Sequence, residues 1–307
     1  MSPTSPNILV PIEDPFSDNT IVELASRIAS PLKGELHLIH VARRNHENSH
    51  AISQNLLKVA ESSALNDVKL SVHIENGEDV VAEIRSRIRE LSCNMIFMAW
   101  RAEINSISIL ASDNISLTKD LNLDTLILKE RNLQKVERIL VPTGGGPHSI
   151  LGIQIAHDLA KTWGAEIEIL RIARDLNGDP NNPIHKRYCD QLLEDTRVQL
   201  ELLNISAPIS IKSAEQVVPT VITYSKNFDL VVMGASNDWR QEEYLSGSIP
   251  DKIASSVDCS ALMARSAATT ETSLSKVFWE QMIRLDFRPK NKWDAIEQMI
   301  DVLIEEE

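Results

Sequence analysis

The sequence predicts two tandem, doubly wound α/β domains, each built on a five-stranded parallel sheet, followed by a short C-terminal helical tail. Three observations support this prediction. An internal repeat runs through most of the chain. Apolar segments of strand length alternate with segments of helical periodicity. Several of these strands are apolar throughout, as strands that are covered by helices on both faces must be.

The repeat begins with the tetrapeptide ILVP, which occurs at residues 8–11 and again 131 residues later, at residues 139–142. At the same offset GELHLIHVAR aligns with AEIEILRIAR without a gap, and further on NMIFMA aligns with DLVVMG at an offset of 135 residues. Self-similarity over such a distance indicates a duplicated domain. We therefore expect domains at residues 1–131 and 136–266, with a tail at residues 274–307.

Each half is expected to alternate strands with helices and to end on a fifth strand, which implies right-handed βαβ units. In the first half we expect strands near 7–12, 35–42, 69–74, 94–99 and 124–129, and helices near 18–31, 50–66, 79–91 and 106–120. In the second half we expect strands near 138–142, 166–173, 208–212, 229–233 and 260–264, and helices near 149–163, 185–203, 216–226 and 248–257. The connector RNLQKV lacks Gly and Pro, so the two halves should be closely docked.

Composition excludes several classes of protein. There are 44 acidic against 31 basic residues, and the net charge of −13 repels a phosphate backbone, so we expect no nucleic-acid partner. The three cysteines and eight histidines show no metal-ligand spacing, and we expect no metal. The start of the chain lacks a leader pattern, which favours a cytoplasmic protein.

The most ligand-like stretch follows the predicted fourth strand of the second half. Gly234 ends the apolar strand, and Gly247 and Ser248 stand where the next helix begins. A helix amino terminus offers N–H groups and a partial positive charge, so these residues are predicted to cradle a phosphate. An ordinary glycine and serine turn between strand and helix is the alternative.

A second turn, PTGGGPHS, follows the first strand of the second half. Thr143, Gly144, Gly145 and Gly146 should lie at the carboxyl edge of the sheet beside the fourth strand, where open parallel sheets bind ligands. Three glycines leave backbone N–H groups open to an anion. The alternative is a long loop without a ligand.

The first half lacks these features, so we expect it to be structural. Its predicted fourth loop has the same length as that of the second half, but its glycines are absent and an acid is present. A Cβ and a carboxylate there would oppose a bound phosphate. The replacing residues are Ala99, Ala102, Ser112 and Asp113, which stand in the positions of Gly234, Asn237, Gly247 and Ser248.

The loop after residue 233 resembles that of the universal stress protein family, whose ATP-binding members carry G-x2-G-x9-G-[ST]. Gly234, Gly247 and Ser248 match this motif, and Asn237 occupies the position of the middle glycine. The resemblance implies a Rossmann-like fold, pairing through fifth strands and ATP or another adenine nucleotide as ligand. It places Thr143 and Gly144 where those relatives have an Asp that helps to hold adenine.

The tail resembles the opening of the fructose- and mannitol-type enzyme IIA domain of the bacterial sugar phosphotransferase system. The resemblance lies in an I-x-L-D segment at residues 283–286 and in NK-x-x-AIEQMIDVL at residues 291–303. The histidine that this family phosphorylates would lie beyond residue 307, so no phosphotransfer is expected. An ordinary amphipathic helix is the alternative.

Together these features favour a non-enzymatic regulatory or sensing module. The LVPTGGGPH turn resembles that of universal stress domains fused to bacterial transporters and channels. A cytosolic regulatory region of a membrane transporter, in the same or a neighbouring polypeptide, is therefore a second hypothesis. An ATP-hydrolysing enzyme is a third, although we find no residue for its general base. We also expect a homodimer as one oligomeric state.

Overall fold

The structure is a computed structural model that describes residues 5–13, 19–42, 49–63, 67–100, 123–174, 183–235, 248–267, 290–291, 293–296 and 298. It divides into two compact units, Met1–Ala268 and Thr269–Glu307. The expected division of the first unit between residues 131 and 136 stays a prediction, as do the other domain limits. Among the described helices, none is long and apolar enough to span a membrane.

The first unit is built on ten strands that form one sheet in the order β3-β2-β1-β4-β5-β10-β9-β6-β7-β8. Each of the ten predicted strands is present, and the α/β fold class is confirmed. Neighbouring strands within each half run parallel. The strands are β1 (Asn7–Pro11), β2 (Glu35–Ala42), β3 (Lys69–Asn76), β4 (Met95–Ala99), β5 (Asp124–Lys129), β6 (Arg138–Pro142), β7 (Glu166–Arg174), β8 (Ile209–Ala214), β9 (Leu230–Gly234) and β10 (Ser260–Arg265).

Helices cover both faces of this sheet and bury two apolar clusters, one on each side. The predicted helix near 106–120 lies outside the described residues. Asp79 caps α3, because its side chain accepts a hydrogen bond of 2.9 Å from Ala82 N. The described helices are α1 (Asn19–Ala29), α2 (Ser49–Ser63), α3 (Val80–Glu90), α4 (Pro147–Trp163), α5 (Pro183–Leu202), α6 (Val217–Tyr224) and α7 (Ile249–Ser256).

The two predicted five-stranded sheets are joined edge to edge, because β5 pairs with β10. This pairing is antiparallel and runs from Ala261 opposite Lys129 to Arg265 opposite Thr125. Both strands are apolar and buried. If either were left unpaired, its backbone N–H and C=O groups and its apolar side chains would be exposed at a sheet edge, where another chain could pair with it. The expectation that the halves associate through their fifth strands is confirmed.

A helix pair joins the two halves a second time, on one face of the sheet. Helices α1 and α4 lie against each other, and Arg27 of α1 donates a hydrogen bond of 3.3 Å to the carbonyl of Thr162. The same guanidinium lies 5.2 Å from the ring centre of Trp163. A cation over an indole ring adds a favourable electrostatic contact to the apolar packing.

In the second unit, residues 293–296 are helical. Asn291 begins this helix, since its Oδ1 accepts hydrogen bonds from Trp293 N at 2.9 Å and from Asp294 N at 3.1 Å. A helical start at this point agrees with the predicted tail helix. The I-x-L-D segment at residues 283–286 lies outside the described residues.

Asp158 on α4 supports a prediction about pH. Burial raises the pKa of its carboxyl group to about 6, and nearby Lys161 opposes that rise. A carboxyl group with a raised pKa in the folded state stabilises the fold below its unfolded pKa, and this contribution is lost as pH rises through about 6.

Asp158→Asn should therefore stabilise the protein above pH 6 relative to wild type, by no more than about 3 kcal/mol. The difference in free energy of unfolding should grow between pH 4 and pH 7 and then level off, which urea titrations at each pH would measure. A difference that does not change with pH would contradict this account of Asp158.

Candidate functional site

The turn after β6 is built from Thr143 and three glycines. The backbone N–H of Thr143 donates to the carbonyl of Leu170 at 2.9 Å, and its Oγ1 accepts a hydrogen bond of 3.2 Å from Gly145 N. Gly145 and Gly146 have φ angles of 88° and 84°, which side chains rarely tolerate. A Cβ on Gly144 would meet no atom within 4 Å. The turn is therefore held by Thr143 and faces open space at Gly144.

This turn leads directly into the amino terminus of α4. Gly146 is the N-cap residue and offers no side chain for capping, and Pro147 follows in the first turn. Because proline has no N–H and the cap has no side chain, the positive end of the α4 dipole lacks a side-chain cap. Such a terminus is suited to an anion.

Gly234 lies against this same helix start. A Cβ at Gly234 would stand 2.7 Å from the carbonyl carbon of His148 and 2.7 Å from the amide nitrogen of Ser149. Gly152 lies on the next turn of α4, where a Cβ would come within 3.4 Å of Gly234 N. Gly234 therefore makes room for the backbone of α4. This packing accounts for the absence of a Cβ at Gly234, and the contact of Gly234 with a phosphate stays a prediction.

Ser248 caps α7, which begins where the sequence predicts a helix. Its Oγ accepts from Asp251 N at 3.4 Å, and Asp251 Oδ2 accepts a hydrogen bond of 3.0 Å from Ser248 N. The pair forms a reciprocal capping box, so a carboxylate already occupies the start of α7. This arrangement favours capping over the phosphate cradle that Ser248 was expected to provide.

The remaining predicted site residues, Asn237 and Gly247, lie outside the described residues. In the first half Ala99 ends β4 as expected, whereas Ala102, Ser112 and Asp113 also lie outside them. Of the predicted site, the structure thus brings together the turn from Thr143 to Gly146 and Gly234, with the start of α4 between them.

Arg171 is a residue of this region that the sequence analysis missed. It lies in β7 with only 8% of its surface exposed, and its Nη1 is 3.5 Å from the Cβ position of Gly145. Burial lowers its pKa, although Tyr188 and Asp195 partly oppose that shift. A cation within the otherwise apolar strand segment ILRIA could have signalled it.

Two further polar side chains, those of His148 and Asp124, lie beside the start of α4 at the junction of the two halves. The Nδ1 atom of His148 accepts a hydrogen bond of 3.0 Å from Ser266 N, which places the proton of a neutral ring on Nε2. Asp124, at the start of β5, accepts a hydrogen bond of 2.7 Å from Ala267 N. Burial raises the pKa of Asp124, and the hydrogen bonds from Ala267 N and the Ser266 hydroxyl oppose that rise. A residue of the first half therefore borders the carboxyl edge of the second.

The described residues contain no group of three or more His, Cys, Asp or Glu side chains arranged to hold a metal ion. The chemistry available at the turn is therefore that of backbone N–H groups, a helix terminus and a buried guanidinium.

Comparison with known proteins bears on this region. Residues 135–265 match the family model described as the universal stress protein family. The chain contains a universal stress protein domain. The matched residues 135–265 include the turn from Thr143 to Gly146, Gly234, Ser248 and Arg171. No curated protein matches the chain.

Three solved structures share the fold of a larger part of the chain. A putative universal stress protein from Pseudomonas aeruginosa UCBPP-PA14 is 16% identical, with a TM-score of 0.59 over 84% of this chain and 92% of that one. The cytoplasmic domain of a prokaryotic cation chloride cotransporter is 14% identical, with a TM-score of 0.59 over 86% and 96%. A universal stress protein from Archaeoglobus fulgidus DSM 4304 is 17% identical, with a TM-score of 0.53 over 86% and 97%.

The geometry of the universal stress protein domain predicts unequal costs at two of its glycines. Gly234→Ala should lower the free energy of unfolding by about 1 to 3 kcal/mol, because its Cβ would overlap the backbone of α4. Gly144→Ala, where a Cβ meets open space, should change it by less than about 0.5 kcal/mol. Urea denaturation of both variants measures the difference, and equal stabilities would contradict the close approach of α4 to β9.

Proposed function

We propose that this chain is a tandem universal stress protein module that serves a regulatory or sensing role and binds an adenine nucleotide, such as ATP, in its second half. The observation that supports this best is the glycine turn from Thr143 to Gly146, which opens onto the uncapped start of α4 at the carboxyl edge of the sheet. Anionic groups bind at such termini in open α/β sheets.

Within this proposal the phosphates lie at the turn and at the start of α4. The start of α7 is less suitable, because Asp251 already accepts the hydrogen bond of Ser248 N and adds a negative charge. The first half has a supporting role, since Glu13 stands at the repeat position of Gly144 and would repel a phosphate. We assign no catalytic residue, and the protein acts by binding.

A second candidate is a regulatory region on the cytoplasmic face of a membrane transporter. The observation that favours it is the similarity in fold to the cytoplasmic domain of a cation chloride cotransporter, which extends over 86% of this chain. The transporter would lie in the same or a neighbouring polypeptide. The resemblance of the tail to an enzyme IIA domain is compatible with this arrangement, and nucleotide binding would then report to the transporter.

Isothermal titration with ATP, ADP and AMP tests the nucleotide proposal. Gly144→Glu gives the second half the residue of the first, and its carboxylate should weaken nucleotide binding at least about tenfold by repulsion. The open space around Gly144 should let this variant fold. The matched control, Glu13→Gly, should bind as wild type does.

Absence of heat with all three nucleotides in the wild type would contradict the proposal. Equal affinity in wild type and Gly144→Glu would place the ligand away from this turn.

A further inference from the structure

We propose that Arg171 and the turn from Thr143 to Gly146 form a binding site for a phosphate oxyanion. This inference rests on the proposed function in placing a ligand at the turn, and it adds the residue that recognises the charge. The site lies within the first compact unit, between the end of β7 and the start of α4.

The state of Arg171 is the first observation. The residue is nine-tenths buried, and its Nη1 lies 3.5 Å from the Cβ position of Gly145 in the turn. Among the described residues, no hydrogen bond or ion pair joins its guanidinium group. Tyr188 and Asp195, both on α5, act on it electrostatically, and the side chain of Gln191 already donates to Asp195 at 2.8 Å. A guanidinium stays protonated in proteins, so its burial without a partner costs stability that a bound anion would restore.

Gln199 provides the second observation. Its Nε2 is 3.9 Å from the Cβ position of Gly145, and its Oε1 is buried with no hydrogen-bond partner in the part of the chain that the structure describes. Buried amide oxygens are nearly always satisfied. A protonated oxygen of a monohydrogen phosphate, bound beside Arg171, would donate to it.

The first half provides an internal comparison. At the repeat position of Arg171 it has His40, which is equally buried. The Nδ1 atom of His40 lies 2.8 Å from the carbonyl oxygen of Ile12, so the ring is satisfied within the protein. The second half thus replaces an internally paired ring with a cation that has no such partner, at the half where the turn is rich in glycine.

Phosphate suits this arrangement better than other small anions do. A guanidinium group can donate two parallel hydrogen bonds to two oxygens of one phosphate group. The glycine turn and the positive end of the α4 dipole can stabilise the remaining charge. The phosphate could belong to a nucleotide or be inorganic phosphate, because both present the same group.

Isothermal titration and thermal unfolding of the full chain test this site with inorganic phosphate, AMP and adenosine, against sodium chloride at equal ionic strength. Arg171→Met removes the charge and keeps apolar volume, and it should weaken phosphate binding about ten- to a hundredfold. Arg171→Lys retains the charge without the planar fork and should lose about tenfold. Arg197→Met is the control, because it removes an exposed arginine, which lies on α5. The Nη1 atom of Arg197 lies 3.6 Å from Oε2 of Glu194 on the same helix.

The expected result is that phosphate binds wild type and Arg197→Met with equal affinity and binds Arg171→Met about ten- to a hundredfold more weakly. Without anion, Arg171→Met should be at least as stable as wild type. Tighter binding of AMP than of phosphate would identify a nucleotide as the source of the phosphate group, and equal binding would identify the free anion.

Phosphate binding without nucleotide selectivity would support this site and refute the nucleotide function. Binding of adenosine and AMP with equal affinity, unaffected by Arg171→Met, would overturn the site and leave the nucleotide function standing. Loss of folding in Arg171→Met, or no phosphate binding by wild type, would also overturn it.

Discussion

The antiparallel pairing of β5 with β10 is the interaction on which the rest of this structure depends. Each half ends on an apolar strand whose backbone groups need partners. Pairing the two strands satisfies both edges at once and makes a single ten-stranded sheet with β3 and β8 as its outer strands. The strand order is symmetric about this junction, since the fifth strand of each half lies at the centre and the third strand of each half lies at an edge.

The direction of this pairing also decides what lies beside the candidate site. Since β5 runs antiparallel to β10, the start of β5 reaches the carboxyl end of β10, and Asp124 contacts Ser266 and Ala267 there. The chain just after β10 in turn donates to His148 at the start of α4. A residue of the first half therefore supports the carboxyl edge of the sheet in the second half, where the candidate site lies.

Much of the fold could be predicted from the sequence, because repeated apolar segments constrain strands, helices and their order. The cap at Ser248 and the glycine turn could be predicted too, since both are local in sequence. The role of Gly234 could not, because the backbone of α4 that fills the space beside it is distant in sequence. Arg171 was missed for the same reason. Its lack of a partner becomes visible only when the surrounding side chains are in place, although its alignment with His40 was a usable signal.

Hydrogen exchange of the full chain, resolved by peptide or by residue, tests most directly the claim that paired fifth strands make the two halves one unit. The amides of β5 and β10 should exchange as slowly as those of β1 and β6, which lie inside each half, and more slowly than those of the outer strands β3 and β8. Exchange of β5 and β10 as fast as that of β3 and β8 would contradict the joined sheet.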